Sequence, residues 1–307
     1  MSQPSEQIAR ELHRHNYDLI RLADFNYEYP DKRPSGSEIP FDLDGYQLEK
    51  TDVVVLDGYW YDQSYQKALR EYPVTIVVIE DNGGGTYYAD AVINHAPGLL
   101  KENYKTDNPG TRYALGPEYA LLRPLFLEAA RKEATPKTEI KQVLICFGGS
   151  DICNMTEIYA SWFLDNTSFQ VHAIIGGYQS NTLEQMASRN RNLKISSGLN
   201  EREMLEAFHN ADLGIVPASG LLYEAMACSL PIISGYTASN QNKIHEGGKK
   251  RNVFFDIGDM KESTSNLGKI IHQLEAIHLH KMQKQQQKLI NGRSPDNYCR
   301  LFKTLVK

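Results

Sequence analysis

The sequence predicts an α/β protein made of two doubly wound parallel-sheet units that face each other across a cleft, the first of them incomplete. Three observations predict it. Short apolar, β-rich runs alternate with longer amphipathic ones along the chain, the pattern of strands joined by crossover helices. The run Val53-Val54-Val55-Leu56 is continuously apolar, as a strand covered on both faces is. The length of 307 residues corresponds to about two domains.

In the first half, Glu6 to Arg14 reads as a helix and Asp18 to Leu22 as a strand. The Pro-, Gly- and acid-rich stretch Tyr29 to Gly45 reads as a loop. Strand Val53 to Leu56, a helix from about Gln63 to Glu71 and strand Val74 to Ile79 follow, then the shorter strands Ala91 to Ile93 and Tyr113 to Leu115. Asp81-Asn82-Gly83-Gly84-Gly85 is a loop, because three consecutive glycines disfavour helix and strand alike. Ala129 to Ile140 is charged, contains Pro136 and lacks a core period over its second half. It is taken as the linker, which divides the chain into residues 1–135 and 136–307.

The second half shows a full set of alternating elements. Strands are expected at Gln142 to Phe147, Val171 to Ile175, Leu193 to Ile195, Leu213 to Val216, Pro231 to Ile233 and Val253 to Ile257. Helices are expected from Met155, around Leu183 to Ser188, over Glu201 to Asn210 and Leu222 to Cys228, and from about Gln241. Long helices finish the chain, and the Gln-rich patch Gln283 to Lys288 reads as an exposed one.

The net charge of −5 gives no electrostatic footprint for nucleic acid or an anionic membrane. No apolar stretch approaches the ~20 residues of a membrane span, and Met1 to Arg10 has no signal-peptide core, so a cytoplasmic location is expected. Cys146, Cys153, Cys228 and Cys299 form no close pair, and Cys146 is expected to be buried and reduced. His13 and His15 read as surface residues, and His278 and His280 lie on an exposed helix, so no metal site is expected.

In open parallel sheets, ligands sit at the carboxyl ends of strands, next to the topological switch. Three segments of the second half occupy such places. Phe147-Gly148-Gly149-Ser150-Asp151 follows a strand, where glycines admit a close ligand and the next helix turns its amides and positive end toward a phosphate. A tight turn requiring glycine explains the pair equally well. In Val216 to Ala225, Ser219 and the amides beside Gly220 suit a diphosphate, and Glu224 suits a ribose cis-diol. Alternatively, Ser219 is an N-cap and Glu224 an acid near the helix dipole. Asn240 and Gln241 are side-chain amides that suit phosphate or sugar oxygens, or Asn240 is simply an N-cap. In the first half, Asp57-Gly58-Tyr59 and the Glu80-Asp81 pair end strands; the carboxylates suit acid–base work or form a solvated strand end.

The segments LDGYW, VIEDNGGG, ADAVIN, YALGPEYALLRPLF, VLICFGGSD, ADLGIVPASGLLYEAMACSLPII and NQ together resemble the UDP-sugar hydrolase family of the pseudaminic acid pathway, from about residue 53 to 241. That family is related to spore-coat polysaccharide synthesis proteins and, more distantly, to the N-acetylglucosaminyltransferase that makes lipid II. The resemblance implies a GT-B fold with two Rossmann-like domains. It also implies hydrolysis of a UDP-linked diacetamido-trideoxy-hexose at the anomeric carbon, with release of UDP and no metal or cofactor, by a monomer. A glycosyltransferase using a UDP-sugar donor and an inactive nucleotide-sugar binder are the alternatives. On matching positions it makes Glu224 the ribose ligand and lines the nucleotide and diphosphate with Gly148, Gly149, Ser150, Ser219 and Gly220. Asn240 and Gln241 fall to phosphate or sugar, and Tyr59 to the sugar and the attacking water. The family opens with a strand and a Gly-rich loop bearing a His that activates water. This chain begins in the helix that follows, and neither His13 nor His15 replaces that residue. GGGTYYAD also stands where the family has Arg and His. Without the opening strand, Asp18 to Leu22 and Val74 to Ile79 are expected to lack their shared neighbour.

Overall fold

A computed structural model describes residues 6–18, 48–59, 61–105, 108–149, 151, 153–176 and 180–306. The expected strand beyond Asp18 and the loop Tyr29 to Gly45 lie outside them.

The chain forms α1 (Glu6–Arg14), β1 (Val53–Asp57), α2 (Gln63–Leu69), β2 (Thr75–Ile79), β3 (Gly85–Thr86), β4 (Ala91–Asn94), β5 (Tyr104–Lys105) and β6 (Arg112–Leu115). The helix α3 (Pro124–Ala130) leads into the second half. There follow β7 (Gln142–Cys146), α4 (Met155–Asn166), β8 (Gln170–Ile175), α5 (Asn181–Arg189), β9 (Leu193–Ser197), α6 (Glu201–Asn210) and β10 (Leu213–Pro217). The chain ends with α7 (Gly220–Ala227), β11 (Ile232–Tyr236), α8 (Asn242–Lys250), β12 (Phe255–Asp259), α9 (Leu267–His272), α10 (Ala276–Leu289) and α11 (Ser294–Leu305).

The second sheet has the order β12-β11-β10-β7-β8-β9, with every pairing parallel. The winding reverses between β7 and β10, so the switch crevice lies between the loops after Cys146 and after Pro217. Both faces are covered, and Val143, Leu144, Ile145, Leu213, Ile215 and Val216 are fully buried. That burial explains why these strands read as unbroken apolar runs.

The first sheet departs from expectation. Its order is β1-β2-β4-β6, all parallel. β2 therefore has a neighbour on each side: β1 pairs with it from Val53–Thr75 to Asp57–Ile79. The expected loss of a neighbour at Val74 to Ile79 does not occur, because β1 is the adjacent strand. Among the described residues the end of the sheet falls on β1, and this strand is not covered on both faces: Leu56 is buried while Val55 is 47 % exposed. β3 and β5 form a separate two-stranded piece; Gly85 was expected to be loop.

Two helices pack on the unit that lies across the expected boundary at residue 135 from them. α3 overlaps the start of the segment expected to be linker, yet it packs on α6 and α7, with the Phe126 ring edge-on to Phe208 at 5.9 Å. α11 returns to the first sheet, where Leu301 joins Val77, Ala91, Ile93 and Ala114 in one cluster and Tyr298 donates to the Tyr119 carbonyl. The physical reason is that the first sheet's second face is apolar and needs a cover.

The Gln-rich patch is another correction. Gln283 and Gln286 are buried, on the same face of α10 as Leu279 and Met282. Gln286 Nε2 donates to the carbonyls of Leu230 and Val253 at 2.9 Å each, and Gln283 Nε2 donates to those of Ser229 and Thr135. Buried loop carbonyls without a strand partner require donors, and glutamine reaches them from a helix. Cys146 is buried and free, and burial pushes its thiol up to about 12.

His172 on β8 yields a pH prediction. It is buried against Ser196 Oγ at 2.9 Å and opposes Lys194 across the strands. Burial first, and the Lys194 charge second, lower its pKa from 6.5 to about 4. The unfolded chain therefore binds the proton more readily than the native one. Stability is full above pH 6.5 and is lost as pH falls toward 4. With allowance for solvent screening, this is about 2 kcal/mol. Urea unfolding at pH 7 and 4.5 checks it: wild type loses stability over that interval, and His172→Gln loses about 2 kcal/mol less. Equal losses in both proteins would refute the assignment.

Candidate functional site

The carboxyl edges of the two sheets enclose a cavity of about 510 Å³, a size that suits a ligand of nucleotide dimensions. From the first unit its wall includes Asp57, Tyr59, Asp81 and His95, each just after or at the end of a strand. From the second come Ser219, Gly220, Asn240 and Gln241.

A hydrogen-bond bridge spans the cleft. Tyr59 Oη donates to Asp81 Oδ2 at 2.5 Å, and Asn240 Nδ2 donates to Tyr59 Oη at 3.0 Å and to Asp81 Oδ2 at 3.1 Å. Asn240 is therefore not an N-cap: it lies in the 3₁₀ turn Ser239–Gln241 and reaches the other unit. Gln241 Oε1 accepts from the Thr237 amide at 2.8 Å, which fixes the loop and leaves the Nε2 group as a donor at the wall.

The Glu80-Asp81 pair divides into two roles. Glu80 is neither solvated nor placed for acid–base work. It is buried and accepts from the amides of Asn82 (2.8 Å) and Gly83 (3.0 Å) and from Tyr87 Oη (3.2 Å), Asn94 Nδ2 (2.7 Å) and Tyr104 Oη (2.6 Å). It shapes the glycine turn beside the cleft; burial, then Glu80, raises the pKa of both Tyr87 and Tyr104. Asp81 is the member of the pair that joins the bridge across the cleft.

At the second unit, Ser219 stands at the N-cap position of α7 but makes no side-chain capping bond. A Cβ added to Gly220 would meet nothing within 4 Å, and the same holds for Gly149 among the described residues. Neither glycine has a positive φ. Conformation and internal packing therefore do not require glycine there, and open access to the backbone amides is the remaining physical reason. Gly148 differs, with φ +89°, and a Cβ added there would meet Leu221 Cδ1 of α7 at 3.7 Å. The turn at Gly148 thus lies against the first turn of that helix. Ser150 lies outside the described residues.

The helix after that turn does not offer its amides to a phosphate. Asp151 accepts from the Met155 and Thr156 amides at 2.8 Å each, so the positive end of α4 is already answered. The available helix end at the switch is that of α7.

Glu224 is on α7, outside the cavity wall. Arg123 grips it with two parallel bonds, Nε to Oε1 and Nη2 to Oε2, both 2.8 Å. This fork ties the residue before α3 to α7. Each carboxylate oxygen keeps a second lone pair.

Of the residues singled out from sequence, then, Tyr59, Ser219, Gly220, Asn240 and Gln241 share one cavity, while Gly148, Gly149 and Glu224 are not part of its wall. Sequence reasoning missed His95 and Arg123. His95 directly follows β4, and the strand-end rule that picked Tyr59 and Asp81 applies to it equally. Arg123 carries a weaker signal, an Arg directly before Pro124 that opens a helix.

Two parallel-sheet units with their carboxyl edges across one cleft, the second of them doubly wound, match the GT-B fold, and solved structures share it. The chain superposes on Acinetobacter baumannii MurG with a TM-score of 0.59 at 14% identity, covering 86% of this chain and 75% of that one. It superposes on S. aureus MnaA, solved with UDP, with a TM-score of 0.57 at 13% identity, covering 99% and 88%. No family model matches the chain. Among curated relatives, an uncharacterised protein of Methanocaldococcus jannaschii is 25% identical over 268 residues, 84% of this chain and 52% of that protein. The spore coat polysaccharide biosynthesis protein SpsG of Bacillus subtilis is 31% identical over 121 residues, 39% of this chain and 35% of SpsG. The chain thus spans about half the length of the first relative and about a third of the second. Among the described residues, no helix is long and apolar enough to cross a membrane.

Proposed function

We propose that the cleft binds a UDP-linked amino sugar and hydrolyses it at the anomeric carbon, releasing UDP and the free sugar for surface-polysaccharide or nonulosonic-acid synthesis. The observation that carries this reading is the Tyr59–Asp81–Asn240 bridge across a cavity whose other wall is the open first turn of α7. The diphosphate would lie on the amides at Gly220 and on Ser219, a place where backbone donors and the helix end favour anions. The ribose hydroxyls would donate to the outward lone pairs of Glu224, which Arg123 holds in a fixed orientation. The sugar would then fall on the first unit, against Tyr59 and Asp81. Support also comes from the motif resemblance, from the partial identity to SpsG, and from a solved structure of like fold that holds UDP.

Calorimetry with UDP, and UDP release from UDP-amino sugars in water alone or with glycosyl acceptors, test it. UDP binds to wild type, and Glu224→Ala weakens it at least tenfold, about 1.4 kcal/mol, with the helical circular-dichroism signal unchanged. Turnover is as fast without acceptor as with it. Release that depends on an acceptor makes the protein a transferase, and absence of UDP binding removes the nucleotide-sugar reading altogether.

A further inference from the structure

His95 and Asp81 share an unusual condition. Asp81 Oδ1 and His95 Nδ1 are both shielded from solvent and have no hydrogen-bond partner in the protein, two of only six such side-chain atoms among the described residues. Both residues belong to the wall of the same cavity. A buried polar atom without a partner costs about 1–3 kcal/mol, so two in one wall point to a ligand or a reacting molecule that completes them.

Each residue is otherwise held in place. Asp81 is fixed through its other oxygen by Tyr59 and Asn240. The His95 ring stands edge-on to Tyr223 of α7 at 5.3 Å, and Tyr223 Oη donates to the His95 carbonyl at 2.7 Å. Among the described residues, the charged neighbours that act on the ring come from strand ends: Asp81 and Glu80 after β2, and Asp57 at the end of β1. Burial lowers the ring's pKa and so favours neutral imidazole, whereas the three acids raise it and stabilise the imidazolium once formed.

We propose that His95 is the general base that activates water in this cleft and that Asp81 stabilises the protonated ring, an assignment that rests on the hydrolase reading above. The water oxygen bonds to the anomeric carbon of the nucleotide sugar while that carbon's bond to the diphosphate oxygen breaks. The diphosphate leaves with the bonding electron pair. The water's proton passes to a ring nitrogen of His95, and imidazolium forms next to the Asp81 carboxylate. Product release returns the proton to solvent. This arrangement places the base on the loop after β4.

The test compares wild type, His95→Gln and Asp81→Asn by steady-state UDP release from a UDP-amino sugar, UDP calorimetry and NMR titration of the histidine rings. His95→Gln lowers kcat about 100-fold or more while its Kd for UDP stays within about threefold of wild type. The acid limb of the wild-type kcat profile disappears in this variant. Asp81→Asn lowers the titration midpoint of the His95 ring and lowers kcat without losing UDP. If wild type turns over and His95→Gln keeps more than about a third of kcat, the base assignment falls and hydrolysis stands. A wild-type protein that binds UDP yet releases none from any UDP-amino sugar overturns both.

Discussion

Replacing Glu80 by alanine is expected to remove about 4 kcal/mol of stability from the first unit. The side chain gathers two backbone amides, two tyrosine hydroxyls and one asparagine amide into a buried site. Without it, those five donors face each other in a space largely closed to water. Each unsatisfied donor costs about 1–3 kcal/mol, and water entering the gap recovers part of the sum. The informative companion is Glu80→Gln. If the site merely needed a side chain of this volume, glutamine would be nearly neutral. Its Nε2 group, however, would point a donor at donors, so Gln is expected to lose at least half as much as Ala. Urea unfolding followed by tyrosine fluorescence measures both, and a Gln variant as stable as wild type would show that the hydrogen bonds are incidental. Asn82 and Gly83 form the turn beside Asp81, so both variants are also expected to loosen the cleft wall.

The second large effect concerns Gly247. A Cβ at this position of α8 would lie 2.1 Å from the Pro97 carbonyl oxygen and 2.8 Å from Pro97 Cβ. The helix backbone therefore rests directly on the loop that follows His95. Backbone atoms cannot rotate away as a side chain does, so Gly247→Val forces α8 and that loop apart. Overpacking of this kind costs about 1–3 kcal/mol. The functional cost is expected to be greater, because Asn240 lies in the turn that leads into α8 and its bridge to Tyr59 and Asp81 is about 3 Å long. A displacement of about 1 Å suffices to lower rates about 100-fold. The variant is expected to bind UDP within about threefold of wild type, since those contacts lie within the second unit, and to turn over UDP-amino sugar about 100-fold more slowly. Equal losses in UDP affinity and turnover would show that the substitution damages the second unit itself.

Much of the second unit was legible because its strands are covered on both faces, and full cover leaves unbroken apolar runs such as Val143 to Cys146. The strand-end rule then located Tyr59, Ser219, Gly220 and Asn240. Elsewhere the sequence misled for identifiable reasons. Gln283 and Gln286 looked solvated because glutamine usually is, and the carbonyls they serve lie more than 30 residues away along the chain. Val53 to Leu56 read as a covered strand, yet among the described residues it lies at the end of its sheet, a position that depends on pairing order and not on composition. Asp151 supplies the counter-charge for α4 from within the motif that suggested a phosphate. Glu80 and Asp81 read as equivalent neighbours, and only the turn at Gly83 makes one a buried anchor and the other a member of the bridge across the cleft.

The return of α11 to the first sheet affects how the protein is made. Ala114 emerges from the ribosome long before Leu301, the residue that helps cover it. At ~5–20 residues per second, the apolar face formed by Val77, Ala91, Ile93 and Ala114 waits on the order of ten seconds or more for its lid. Meanwhile the second unit can collect nearly all of its own strands and pack them. The nascent chain therefore matures from its middle outward, and the half synthesised first is finished last.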